Sequence, residues 1–248
     1  MYGDLLTVIW KERKGLFRVR GRRTQVLLAL LSPVLLAIYF PLQEGAAFLK
    51  SPLPLLLSCV APLVLVGLSI PDAFAGERER HTLSTLLASR LPDRAILFGK
   101  IVTCVGFGWG VTLVLLLASL VTVNAAHWSG RILFYSPTVL LGTVGLSCLV
   151  AVLTAAAGVL FSLQAATAQE AQQTLMGVLL APPMILQFVL LFLMSSDSGK
   201  ERVRTLLDSV TLAQVTLVIG AVLLVLDAAL LAAAVARFRR ERLILTGR

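Results

Sequence analysis

Residues 70–100 read IPDAFAGERERHTLSTLLASRLPDRAILFGK, a charged stretch that lies between two long apolar runs. Most connections between secondary-structure elements are short, so a polar segment of about 30 residues needs a structural or functional reason. Its composition favours helix. Its position between two runs of membrane-spanning length predicts a segment outside the bilayer that a soluble protein can bind.

The whole chain is strongly apolar. Of its 248 residues, 58% are hydrophobic and only 14% are charged, and the mean hydropathy is +0.91. A soluble domain carries roughly 25% charged residues, so this composition predicts an integral membrane protein. The net charge is +9. Because the basic residues cluster beside apolar runs, anionic lipid headgroups are the expected counter-surface, and nucleic acid is not an expected partner.

Six apolar runs reach the length of about 20 residues that a helix needs to cross the hydrocarbon. They predict an all-α membrane protein with spans at residues 25–42, 52–75, 95–123, 133–163, 175–195 and 210–236. Gly76 is predicted to break the helix that leaves the second span, and the Pro182-Pro183 pair to break the fifth. We expect residues 1–248 to form one transmembrane domain, with an interfacial helix at 1–24, spans 1–2 at 25–75, a cytoplasmic loop at 76–94, spans 3–6 at 95–236 and a cytoplasmic tail at 237–248.

The distribution of basic residues predicts the orientation. Of the 22 Lys and Arg residues, 17 fall on the side that holds both termini and the 76–94 loop. The other five are Lys50, Arg131, Lys200, Arg202 and Arg204. Both termini and the loop are therefore expected in the cytoplasm, and the chain in the cytoplasmic membrane of a bacterium or archaeon. A short interfacial helix is the simplest account of the basic segment near residue 200.

Residues 4–20 have helical apolar spacing, through Leu6, Ile9, Trp10, Leu16 and Phe17. The pattern predicts an amphipathic helix in the membrane interface, with a merely basic leader as the alternative. Rows of small residues at four-residue spacing predict helix packing, within or between chains. These rows are Gly106 and Gly110, Ala151 and Ala155, and Ala228, Ala232 and Ala236.

No catalytic, metal or nucleotide motif is present. The chain lacks a phosphate-binding GxxxxGK[ST] loop, an HExxH motif and a GxSxG motif, so it is expected to be a non-enzymatic chain with no cofactor or metal of its own. Two polar residues fall inside predicted spans, Asp227 in the sixth and Gln187 in the fifth. Burial of a carboxylate in lipid is expensive, so Asp227 either lines a pathway or bonds to a neighbouring helix.

The loop itself has the features of a short amphipathic helix. Glu77-Arg78-Glu79-Arg80 is a run of alternating charge, and Thr82 is placed to cap a helix. Its apolar face is then formed at helical spacing by Leu83, Leu86 and Leu87. Two interpretations fit: a solvated loop on the membrane surface, or a stiff lever that fits a groove on a partner.

These residues resemble the membrane subunits of ABC-2-type ABC transporters, whose loop between spans 2 and 3 has the pattern DxFAxExExGTLexLLaxPxxRxxilxGK. The matching positions are Asp72, Phe74, Ala75, Glu77, Glu79, Thr82, Leu83, Leu86, Leu87, Arg94 and Gly99-Lys100. His81 stands at the usual glycine, and Leu91-Pro92 shifts the usual proline. The resemblance covers nearly the whole chain, and the tail RFRRERLIL at 237–245 is similar to the family's exit from span six.

The resemblance implies a permease subunit of an ATP-driven exporter. Two such subunits, identical or related, would pair with two ATPase subunits that bind ATP and Mg. The loop would be the coupling helix, with Leu83, Leu86 and Leu87 docked in a groove of the ATPase. Residues 77–80 would form the charged rim of that interface, so alanine at Arg78 or Arg80 should cost little binding energy. The alternatives are a haem or cytochrome c maturation exporter subunit of the same family, a stand-alone secondary transporter, and a membrane scaffold.

Overall fold

A computed structural model describes residues 6–13, 20–80, 82, 92–128, 130–196, 201 and 211–238, and in residues 20–26 it describes the backbone only. Six long helices account for most of this part of the chain, and no strand occurs in it. They are α1 (Arg20–Glu44), α2 (Leu53–Glu79), α3 (Asp93–Ala126), α4 (Pro137–Ser162), α5 (Ala168–Met194) and α6 (Leu212–Arg237), with a 3₁₀ turn at Gly45–Lys50 after α1.

All six helices are long and apolar enough to cross a membrane, so the predicted six-span, all-α architecture is confirmed at that level. Their ends alternate between two ends of the bundle. The charged end holds the C-terminal ends of α2, α4 and α6 together with the N-terminal ends of α3 and α5. At the opposite end, the backbone N–H of Ser136 donates a hydrogen bond to the carbonyl of Leu49, which ties the start of α4 to the 3₁₀ turn.

Helices α2, α3 and α4 form the centre of the bundle. More than half of the residues in the apolar stretches of α2 and α4 are buried, against few in α5 and α6. Helix α1 packs on α2 and α3, the N-terminal part of α5 packs on α2 and α4, and α6 packs on α4. The largest buried cluster lies towards the charged end and includes Ile70, Phe74, Ile96 and Val159.

Two predicted helix breaks are wrong. Helix α2 continues through Gly76 and ends at Glu79. Glycine is required at position 76 for lack of space, because a Cβ on Gly76 would lie 2.7 Å from Oδ1 of Asp72. Helix α5 likewise runs unbroken through Pro182 and Pro183. Prolines are tolerated inside membrane helices because the freed carbonyl groups can be satisfied locally or by neighbouring helices.

The rows of small residues have different surroundings. Ala151 and Ala155 are fully buried in the central cluster, so this row serves packing within the chain. Gly106 and Gly110 face open space, since a Cβ at either would meet no atom within 4 Å. The alanine row of α6 at 228, 232 and 236 is also exposed. The last two rows are therefore available to lipid or to another chain.

The N-terminal segment is helical over residues 6–13, and the rest of the predicted 4–20 helix lies outside the described residues. Val8 is buried and Glu12 is partly buried, so this face of the segment turns towards the bundle. Leu6 and Trp10 are exposed. The face that turns towards the bundle therefore contains Val8 and Glu12, and not Leu6 and Trp10 of the predicted apolar stripe.

Candidate functional site

The charged end of the bundle is organised around Lys100, which is completely buried near the start of α3. Its Nζ donates a hydrogen bond of 2.7 Å to the carbonyl oxygen of Ala73. The same atom lies 3.1 Å from Oε1 of Glu12 and 2.9 Å from Oε2 of Glu77. It also lies 5.4 Å from the centre of the Phe74 ring. A buried ammonium group is stable only when it is paired in this way, so Lys100 joins the N-terminal segment, α2 and α3.

A second lysine extends the group of charges towards solvent. Lys11 Nζ lies 3.1 Å from Oε1 of Glu77 and 3.6 Å from Oε1 of Glu12. Half of the Lys11 side chain is exposed, whereas the two carboxylate side chains are only 12% and 16% exposed. We call Glu12, Glu77, Lys100 and Lys11 the lysine–glutamate cluster. It places two ammonium groups around two carboxylates, so that the charges balance locally.

Arg78 and Glu79 connect α2 to the turn between α4 and α5. Arg78 donates hydrogen bonds from its guanidinium to the carbonyl oxygens of Leu163, at 3.1 Å, and Ala165, at 3.0 Å. Glu79 Oε2 accepts a hydrogen bond of 3.3 Å from the backbone N–H of Ala168, the first residue of α5. A cation at a helix C-terminus and an anion at a helix N-terminus both interact favourably with the helix dipoles.

Arg78 is therefore partly buried and hydrogen-bonded within the chain, while the expectation that its substitution costs little in ATPase binding stays a prediction. Arg80 fits that expectation better, because its half-exposed guanidinium lies 3.3 Å from Oδ1 of Asp72 in a surface ion pair. Thr82 Oγ1 donates a hydrogen bond of 3.2 Å to the carbonyl oxygen of Glu77, which holds the chain as it leaves α2.

The apolar residues of the predicted coupling helix, Leu83, Leu86 and Leu87, lie outside the described residues. The segments on both sides of them are described. Helix α2 ends at Glu79 with its last turn tied to neighbouring elements, and α3 begins at Asp93 directly after Pro92. The loop is thus joined at both ends to helices that meet in the lysine–glutamate cluster.

Helix α6 reaches the same end of the bundle through an aromatic contact. The rings of Phe74 and Phe238 pack edge to face, with centroids 5.8 Å apart. Phe238 is buried and follows the last residue of α6. Since Phe74 also packs under Lys100, the end of α6 is placed next to the same cluster.

The structure does not bring the two intramembrane polar residues together. Asp227 is 5% exposed, on the inner side of α6 that packs against α4. Gln187 lies in the outer part of α5, where every side chain from residue 181 to 196 is exposed. The predicted bond from Asp227 to a neighbouring helix is not seen, because neither carboxylate oxygen has a hydrogen-bond partner within the described part of the chain.

Sequence reasoning missed Lys100 and Glu12 as members of a site. Lys100 had a recognisable signal, because it is a single charge that follows the apolar run AILFG at 95–99 and precedes another apolar run. Glu12 had none, since it stands in a segment of mixed charge. The described residues contain no group of His, Cys, Asp and Glu side chains arranged to hold a metal ion. The lysine–glutamate cluster connects the N-terminal segment, α2 and α3 through ion pairs.

Comparison with models of known protein families and with curated proteins gives no match for this chain.

Proposed function

We propose that this chain is the membrane permease subunit of an ATP-driven exporter of the ABC-2 type. The observation that carries the proposal is the set of contacts made by residues 77–79. Three consecutive side chains at the end of α2 reach the N-terminal segment, α3, the end of α4 and the start of α5. The leucines of the proposed coupling helix, Leu83, Leu86 and Leu87, follow within a few residues.

This arrangement suits the transmission of force. A push on the loop at 76–94 acts on α2 and α3, to which the loop is joined. Separating Lys100 from its carboxylates would leave buried charges unpaired, at a cost of about 3–5 kcal/mol. The lysine–glutamate cluster therefore keeps the ends of the helices together, so that movement of a bound ATPase shifts them as a unit instead of loosening one helix.

The chain is proposed to work as a pair, with a second identical or related copy. The outer part of α5 is exposed on all sides and carries Gln187, whose amide has no hydrogen bond within the described residues. An amide facing lipid alone is unfavourable, whereas two glutamines can pair across a twofold axis. Cysteine at position 187, in a background without native cysteines, should form a disulfide dimer in the membrane.

The proposal assigns no ATP site to this chain, because the sequence has no phosphate loop. A separate ATPase subunit, in two copies, binds ATP and Mg. Both termini and residues 76–94 face the cytoplasm of a bacterial or archaeal cell, on the side of the 17 basic residues. Anionic lipids are the other expected partners, through the same basic residues.

The decisive experiment replaces the proposed docking leucines. Leu86→Asp or Leu87→Asp should abolish co-purification with the ATPase or uncouple ATP hydrolysis from transport, because buried apolar anchors carry most of an interface's binding energy. Thr85→Asp is the matched control, since it adds the same charge to the opposite face of the predicted helix. Normal assembly and transport in both leucine variants would refute the coupling-helix assignment.

A stand-alone secondary transporter is the second candidate, favoured by the buried carboxylate of Asp227. The two candidates differ in their need for a partner. An exporter of the ABC-2 type transports only with its ATPase, and the purified permease hydrolyses no ATP. Substrate movement by the purified chain in vesicles without any ATPase would support the secondary transporter instead.

A further inference from the structure

Asp227 has surroundings that its position in the sequence does not reveal. It lies near the middle of α6, on the side of the helix that faces α4, where Ala234 is also buried and Leu223 and Leu231 are partly buried. The residue is 5% exposed. Both carboxylate oxygens are buried, and neither accepts a hydrogen bond within the described residues.

The membrane-spanning part of the chain around Asp227 carries no Lys or Arg. Residues 101–130, 132–199 and 205–236 contain no Lys or Arg, and neither do residues 24–49 and 51–77. The titratable group that interacts with Asp227 from α4 is the thiol of Cys148. A second identical copy has the same composition, so it brings no counter-ion either. An ionised carboxylate would then remain unpaired in a low-dielectric interior, which is unfavourable by several kcal/mol.

A cavity lies near the charged end, and its lining includes Leu231, Ala232 and Ala236 of α6 but not Asp227. It has a volume of about 610 Å³ and opens between the start of α3 and the end of α6. Arg94 and Phe98 line it on one side, and Leu231 and Phe238 on the other. Leu231 is four residues after Asp227 on the same face of α6, a rise of about 6 Å. The cavity lining thus includes a residue one helical turn from Asp227 along α6.

The geometry points to Asp227 as a proton-binding site in the membrane interior that exchanges its proton through this cavity. A hydronium ion that reaches Asp227 gives its proton to a carboxylate oxygen and becomes water, and the carboxyl group becomes a neutral acid that packs against α4. The reverse step returns the proton to water and leaves a negative charge between α4 and α6. A proton fits the site better than a hydrated metal ion or an organic cation, because both carboxylate oxygens are buried and leave no room for a larger ligand.

Release of the proton has a structural consequence. A charged Asp227 is stabilised by hydration, and hydration requires α6 to move away from α4. Protonation thus favours the packed arrangement described here, and loss of the proton favours a more open one. This inference does not depend on an ATPase partner, so it can hold or fail separately from the proposed function.

The test uses the full chain in lipid vesicles and dicyclohexylcarbodiimide, an apolar reagent that modifies protonated carboxyl groups in apolar surroundings. Mass spectrometry should find an adduct on Asp227 at acid pH, and its yield should fall as the pH is raised. The adduct should be absent in Asp227→Asn. Leu231→Ala should label faster, because it widens the connection to the cavity. Asp72, paired with Arg80 at the charged end, is the internal control and should stay unlabelled.

Two results would overturn the inference. One is the absence of an adduct on Asp227 at every pH, in vesicles where the chain keeps its six-span topology. The other is a yield that does not change with pH, or that falls on addition of a monovalent cation at constant pH, which would indicate a fixed proton or a cation site. If Asp227→Asn does not insert, the pH series of the unmodified chain and of Asp227→Glu still decides the question.

Discussion

The lysine–glutamate cluster makes a quantitative prediction, because two lysines contact the same carboxylate in different surroundings. Lys100 is fully buried and Lys11 is half exposed, yet each has its Nζ about 3 Å from Glu77. Lys100→Met keeps most of the side-chain volume and removes the charge. It leaves the carboxylates of Glu12 and Glu77 without their buried partner, and breaking a buried pair in this way costs about 3–5 kcal/mol. Lys11→Met is the matched control, with an expected cost of about 0–1 kcal/mol for an exposed pair.

In a chain of this length about 1 kcal/mol shifts Tm by about 2–4 °C, so Lys100→Met should lower it by about 6–20 °C. The assay is thermal unfolding in mild detergent, followed by the reaction of a maleimide dye with Cys104, a buried native thiol. Adding Glu12→Gln and Glu77→Gln to Lys100→Met should recover part of the loss, because the unpaired charges are then gone. The reasoning fails if Lys100→Met unfolds within about 1 kcal/mol of Lys11→Met.

Three further predictions concern packing, helix ends and topology. Gly158→Ala should lower the free energy of unfolding by about 1–3 kcal/mol, because the added Cβ would lie 2.6 Å from the side chain of Ile70. Gly145→Ala on the same helix is the control: its Cβ meets no atom within 4 Å, so it should be neutral in the same thermal assay. Arg78→Ala should lower Tm more than Arg80→Ala, since only the former loses two hydrogen bonds to the α4–α5 turn; equal effects would contradict the described role. Cysteine at position 80 should resist a membrane-impermeant reagent in intact cells while cysteine at position 127 reacts, and labelling at position 80 from outside would reverse the proposed topology.

Much of the architecture follows from local sequence. The six spans were predictable because each helix satisfies its own backbone hydrogen bonds, so length and hydropathy suffice to identify it. Alternation of the spans then assigns residues 76–94, the N-terminal segment and the tail to one end. The expected breaks at Gly76 and at Pro182-Pro183 were wrong, because local residue propensity alone suggested them. Helix packing and the need to satisfy backbone hydrogen bonds in the membrane keep both helices continuous.

The sequence by itself determined that this chain is a six-helix membrane protein with its basic residues gathered at one end. Only the tertiary structure decided which charges meet there, which side of the N-terminal segment turns inward, and which row of small residues is buried. It also decided that Asp227 faces α4 while Gln187 faces outward. The physical reason is that hydropathy and helical periodicity depend on neighbours in sequence, whereas an ion pair such as Glu12–Lys100, separated by 88 residues, depends on how whole helices pack.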